Sequence, residues 1–253
     1  MIDMELNNLV IFLISWIGAI GLNVLLFTYL SARFNTPSFL ISGIASYIIL
    51  ANVLAYKIIQ IGYFVVPAGV VAYSMIFLIG DILSEKYGKR YAQHGVYAGF
   101  LMNIMFVVMI YLAIISPPLS SDEGIKMHEN FAKMFSLTSR IILGSLIAFI
   151  ISQTFNVFMF HMLKEKTKGK FLWLRNNLST MLAQFIDTVL FISISFYGVL
   201  PINVVYNMIL TQYLMKIIIA LLDTPFIYAG VILHDKFSQP PPKRKTPRKN
   251  KRK

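Results

Sequence analysis

The stretch from Val66 to Arg90, VPAGVVAYSMIFLIGDILSEKYGKR, decides how the chain reads. From Val65 to Leu83 it is almost wholly apolar and about the length that crosses a bilayer as a helix. Yet it carries Asp81 and, one helical turn later, Glu85, and then gives way to a basic flank of Lys86, Lys89 and Arg90. A span that ends on acids inside its apolar run and on cations just beyond it belongs to a membrane protein with an internal polar site, because ionisable groups facing lipid cost several kcal/mol, about 2.5–3.5 on insertion scales.

The rest of the chain agrees. Of its 253 residues 57% are hydrophobic and 13% charged, and the mean hydropathy is +0.68. Soluble domains are about 45–50% apolar and about 25% charged. Charge this sparse cannot cover a water-facing surface. Apolar runs predict an all-α integral membrane protein of seven transmembrane helices, at about Leu9–Leu30, Phe39–Gly62, Val65–Leu83, Gly95–Ser116, Arg140–Leu163, Ser179–Val199 and Val204–Leu233. The first run lacks a basic leader and is too long for the apolar core of a cleaved signal. With seven spans, Arg33, Lys86, Lys89, Arg90, Lys164, Lys166, Lys168, Lys170, Arg175 and the basic tail fall on one side. Lys126 and Lys133 fall on the other, with Arg140 at a helix start. That asymmetry predicts an external N-terminus and a cytoplasmic C-terminus. Within the long external connection, residues 122–135 read either as a short amphipathic surface helix or as a plain loop.

The net charge of +12 is largely a tail effect. Pro240 to Lys253 reads PPPKRKTPRKNKRK, with eight Lys or Arg and no acid. It is expected to be a disordered, lipid-surface segment of the cytoplasm, with no nucleic acid as partner. The absence of cysteine excludes disulfides, thiolate metal sites and a cysteine nucleophile. The four histidines show no ligand spacing, so no metal and no cofactor are expected. Nothing in the residues points to an enzyme, and there is no GxxxxGK[ST] motif for ATP.

Polar side chains within the apolar runs are the candidate site. Asn52, Tyr56 and Gln60 share a helical face beside Lys57. The third run adds Tyr73, Phe77, Asp81 and Glu85; the fifth adds Gln153 and Asn156; the sixth Gln184 and Asp187; the seventh Gln212, Lys216 and Asp223. Asn23, Asn103 and Gln212 suit interhelical hydrogen bonding equally well, and Lys57 could reach water along its own stem. Asp187 and Asp223 are the hardest to explain structurally, because a buried carboxylate needs a cation, donors or a proton, and Lys57 and Lys216 are the cations at hand. Proline in Asp223-Thr224-Pro225 is expected to kink the seventh helix beside the carboxylate.

Val66 to Arg90 also resembles the signature of the queuosine precursor transporter family, which is also called the vitamin uptake transporter family. Further agreement lies in SQTFNVF from Ser152, WLRNNLST from Trp173 running into QFIDT at Gln184, and QYLMK from Gln212 running into DTPFIY at Asp223. The resemblance covers about Ser38 to Leu233. It implies an extra N-terminal helix with its connection (residues 1–37), a six-helix transporter core (38–235) and the tail (236–253). Asn156 stands where the family usually has aspartate, which leaves that position a hydrogen-bonding role. The resemblance implies import of 7-deazaguanine bases for transfer-RNA modification. The residues expected in binding or coupling are Asn52, Lys57, Tyr73, Phe77, Asp81, Glu85, Gln153, Asn156, Arg175, Gln184, Asp187, Lys216 and Asp223. The chemistry is compatible: a carboxylate accepts from the adjacent N–H groups of a guanine-like edge, lysine or an amide donates to its carbonyl, and aromatic rings stack on its face. The alternative is a substrate-binding membrane subunit of an energy-coupling complex for another small heterocycle or vitamin. Homo-oligomers and coupling subunits remain open.

Overall fold

The computed structural model describes residues 2–55, 57–61, 64–135 and 139–238, and the absences stated below are absences among these. Eight helices and one hairpin follow in order: α1 (Ile2–Arg33), α2 (Ser38–Ala55), β1 (Ile58–Ile61), β2 (Phe64–Pro67), α3 (Gly69–Tyr87), α4 (Lys89–Ile115), α5 (Asp122–Phe135), α6 (Ser139–Lys166), α7 (Leu172–Phe196) and α8 (Ile202–Phe237). Five of them, α2, α4, α6, α7 and α8, are long and apolar enough to cross a membrane.

The hairpin corrects the expectation that the second run is helical to Gly62 and the third from Val65. Helix α2 stops at Ala55, and the β-branched sequence Ile58, Ile59, Ile61, Val65, Val66 pairs antiparallel instead, Ile58 opposite Pro67 and Ile61 opposite Phe64. Such residues fit a strand as well as an apolar helix, and Pro67 has no N–H to carry a helix through. Lys57 consequently leaves the helix altogether. It sits exposed in the bend after α2, and its peptide carbonyl accepts from Ala68 N at 2.7 Å. Tyr56 lies outside the described residues, as does the tail from residue 239.

Helix α3 forms the centre. Its 19 residues span about 28 Å, close to the ~30 Å of a hydrocarbon core, although Asp81, Glu85 and Lys86 lower its hydropathy. Every residue from Ala68 to Ser84 is buried except half-buried Tyr73. Helices α1, α2, α4, α6 and α8 pack around it, so its charges meet protein. The outer helices carry the apolar surface: on α4, Tyr97, Leu101, Met105, Met109 and Leu112 are exposed, as lipid contact requires. The approach of α2 to α3 depends on Gly69, where an added Cβ would lie 2.3 Å from the Ala51 carbonyl oxygen.

Contacts between helix ends define the two ends of the bundle. At one, the Tyr87 hydroxyl donates to Ser31 O at 2.9 Å and lies 3.0 Å from His234 Nε2, Lys86 pairs with Asp235 at 2.6 Å, and Lys164 reaches Glu85. This end gathers the basic connections. The other holds the hairpin, where Arg140 donates to Ile194 O and Tyr197 O. Residues 122–135 are helical, α5, with none of their side chains buried, which favours the amphipathic helix over the loop. Further along, α7 begins seven residues before the expected Ser179, and α8 is continuous helix through Pro225.

Candidate functional site

A cavity lies in the hairpin half of the bundle, lined from above by Ala51, Ala55, Pro67 and Gly69 and lower down by Tyr73, Phe149, Asp187 and Lys216. It contains about 660 Å³ of space between atoms, counting its open part. Most of its wall is apolar, and a few polar groups converge on its inner end.

Asp187 is the focus of those groups. Helix α7 turns it inward on the same stripe as Asn176, Thr180 and Gln184, spaced three or four residues apart and all buried. Its Oδ2 pairs with Lys216 Nζ of α8 at 2.7 Å. Its Oδ1 accepts from the Tyr73 hydroxyl at 2.7 Å and from Ser152 Oγ at 3.1 Å. Lys216 Nζ also stands 5.3 Å from the centre of the Tyr73 ring. Both charges are 5% exposed. One carboxylate thus ties together α3, α6, α7 and α8 at the cavity floor. The ring walls are Tyr73, Phe149 and Phe191. Phe77, expected as a stacking partner, lies behind Tyr73, edge-on to it at 5.8 Å and 1% exposed.

Two further polar levels follow toward the basic end. Asp81, 0% exposed, accepts from Asn156 Nδ2 at 2.8 Å and from Thr180 Oγ1 at 3.1 Å. Below it Glu85 is held by Arg175 Nη2 at 2.7 Å and Lys164 Nζ at 2.9 Å. Arg175 is almost fully buried, donates through Nη1 to Gly169 O and Lys170 O, and lies over the Phe160 ring. This clamp closes the basic end of the bundle between α3, α6 and α7.

Among the other expected residues, Asn52 donates to Asn103 Oδ1 at 2.9 Å, joining α2 to α4 beside the cavity, where Asn103 is a lining residue. Gln153 and Gln184 are buried, each with one amide atom lacking a partner. Gln212 lines the cavity with its Oε1 unpartnered. Asp223 is 8% exposed and has neither an ion pair nor a hydrogen bond among the described residues; it lies on the α8 stripe between Lys216, over the Tyr73 ring, and Gly230, against Ile82, and so faces α3. The expected four-charge cluster therefore resolves into three parts. Lys216 meets Asp187, Asp223 faces α3 without a bonded partner, and Lys57 joins neither because the chain leaves its helix before it. Sequence reasoning missed Ser152, Thr180, Phe149 and Phe191, since hydroxyls and phenyl rings in apolar helices are ordinary core residues until a neighbour gives them a task. Among the described residues, no group of three or more His, Asp or Glu side chains is placed to hold a metal ion.

The family described as "Putative vitamin uptake transporter" matches residues 67–230. A "Probable queuosine precursor transporter" of Bacillus subtilis (strain 168) is 32% identical over 181 residues, which cover 71% of this chain and 78% of that protein. No solved structure matches the chain.

Proposed function

The chain belongs to the vitamin uptake transporter family, and we propose that within it this multi-pass membrane protein imports 7-deazaguanine bases, precursors of queuosine, for transfer-RNA modification. One observation carries the reading: a mostly apolar cavity with aromatic walls whose floor is the Asp187–Lys216 pair. In the empty cavity the lysine neutralises the carboxylate. A base entering edge-first brings adjacent N–H donors that Asp187 can accept in charge-assisted bonds, and a carbonyl that Lys216 or Gln212 can reach as donor. Tyr73, Phe149 and Phe191 supply faces for the fused rings. The base then exchanges for part of the lysine's role, so binding rearranges the pair that joins α7 to α8.

Seven spans complete the proposal: α1 to α4 and α6 to α8, with α3 shielded at the centre and α5 on the surface. The connections rich in Lys and Arg face the cytoplasm, so the cavity lies in the outer half and the Glu85–Arg175–Lys164 clamp bars the inner exit. Uptake of a labelled precursor by cells unable to make it tests the reading. Expression should restore accumulation, and purified chain alone in liposomes should exchange labelled base. Absence of both at normal membrane abundance rejects it, and exchange that appears only with an added ATPase favours the energy-coupling alternative.

A further inference from the structure

We propose that Asp81 and Asp223, with the oxygens around them, bind one monovalent cation, a proton or a sodium ion, at a level separate from the substrate cavity, and that this cation drives accumulation. The inference rests on the transport reading.

Its basis is a pair of carboxylates without a counter-charge. Asp81 is fully buried and accepts from two neutral donors, Asn156 and Thr180, and it joins no ion pair. Asp223 lies on the buried stripe of α8 between Lys216, which stands over the Tyr73 ring, and Gly230, which packs against Ile82, so it faces the stretch of α3 that contains Asp81; it has no hydrogen-bond or ion-pair partner among the described residues. Two acids in a water-poor interior cannot both remain charged and unneutralised.

The surroundings supply oxygens. Asn156, 1% exposed and in direct contact with Asp81 through its Nδ2, has no partner for its Oδ1. Ser84, 0% exposed, lies one turn on from Asp81 and its Oγ has none either. Asn176, one turn before Thr180 on the facing helix, likewise leaves its Oδ1 unpartnered. Carboxylates, amide carbonyls and hydroxyls are the ligands of a hard cation, and the same acceptors stabilise a protonated carboxyl.

The protein's own cations are engaged elsewhere. Lys216 holds Asp187 from α8, while Arg175 of α7 and Lys164 of α6 hold Glu85. Helix α2 contains no charged residue, and on α1 and α4 the nearby Arg33, Lys89 and Arg90 are exposed. Along α3, Asp81 lies about 12 Å below Tyr73, and one turn above Glu85. The site is thus on the helices that hold the substrate floor and the inner clamp, yet outside the cavity. Filling it removes a repulsion between α3 and α8, the two helices that must also accommodate substrate.

The test uses the full chain in liposomes with a labelled 7-deazaguanine base, imposing an inward proton gradient or an inward sodium gradient in turn. One of them should drive accumulation; an inside-to-outside base ratio of about ten is expected for each pH unit if one proton is carried. A protonophore abolishes the effect in the proton case, and replacing sodium by choline abolishes it in the sodium case. Asp223→Asn and Asp81→Asn should keep base binding and gradient-free exchange while losing driven accumulation. Should Asp81→Asn fail to insert, Asp223→Asn decides, since Asp223 has no bonded partner to lose. Driven accumulation retained by Asp223→Asn, or wild-type accumulation independent of both ions, overturns the proposal. If the wild type binds no base at all, the transport reading falls. The cation site is then judged by thermal stability of purified protein: a sodium- or pH-dependent shift lost in Asp223→Asn supports it, and equal shifts in both proteins overturn it.

Discussion

Replacing Lys216 by methionine removes the sole cation beside Asp187 and nearly conserves side-chain volume. The remaining carboxylate keeps Tyr73 at 2.7 Å and Ser152 at 3.1 Å, two neutral donors at a site 5% exposed. Breaking a buried pair from one side costs about 3–5 kcal/mol, because the partner's charge is left uncompensated. Lys216→Met should lose stability of that order in detergent unfolding. Asp187→Asn should lose a similar amount, since it strands the ammonium. The double variant removes both charges and should be less damaged than the two losses added together. The cycle should give a coupling energy above about 1 kcal/mol, whereas independent sites add to within about 0.5 kcal/mol. Base binding behaves differently, because all three variants lack the charged acceptor–donor set. Hydrogen bonds to charged groups contribute about 1.5–3 kcal/mol, so Asp187→Asn should weaken binding by roughly ten- to hundredfold. Additive stabilities would refute the ion pair. Near-normal base affinity in Asp187→Asn, at wild-type abundance, would refute its place in the binding site.

A reporter fused after Lys253 should be active only as a cytoplasmic reporter, and periplasmic-type activity there would reject the seven-span orientation. Deleting residues 240–253 should leave substrate affinity unchanged at equal membrane abundance, because the basic, proline-led segment suits a lipid surface and not a pocket; a large rise in the apparent affinity constant would contradict this. Gly69→Val should sharply reduce folded protein and uptake, since even a Cβ at that position meets the Ala51 carbonyl oxygen at 2.3 Å; normal thermal stability of the variant would show that α2 and α3 do not pack as described.

Much of the architecture is legible in hydropathy because lipid imposes one rule on every spanning helix. The hairpin is not legible that way. Ile58 to Val66 is equally apolar as strand or helix, and what separates the two is the pairing of Ile59 with Val66, a contact no window average contains. The site divides similarly. Asp187 and Lys216 stand out in sequence because charge in an apolar helix demands a partner, and the structure supplies it. Asp223 stands out for the same reason but finds no cation among the described residues, since which face of α8 opposes α3 depends on packing. Ser152 and Thr180 gain their roles from carboxylates far away in sequence. Asn103, read as a candidate for holding helices together, accepts from Asn52 and does that.

The sheath around α3 has a consequence for how the protein is made. Three ionisable residues lie within the 19 of this helix, and the machinery that releases segments into lipid disfavours charge inside them. Its stable surroundings include α6 and α8, and the partners of its acids, Asn156, Lys164, Arg175 and Thr180, all emerge from the ribosome later. Until then α3 is tethered to α2 by the hairpin and flanked by the basic residues that follow it. Biogenesis is therefore a matter of retention: the nascent helix must be kept from slipping back into water until the second half of the chain arrives. Truncations ending before α6 should expose α3 to quality-control proteolysis that the finished bundle escapes.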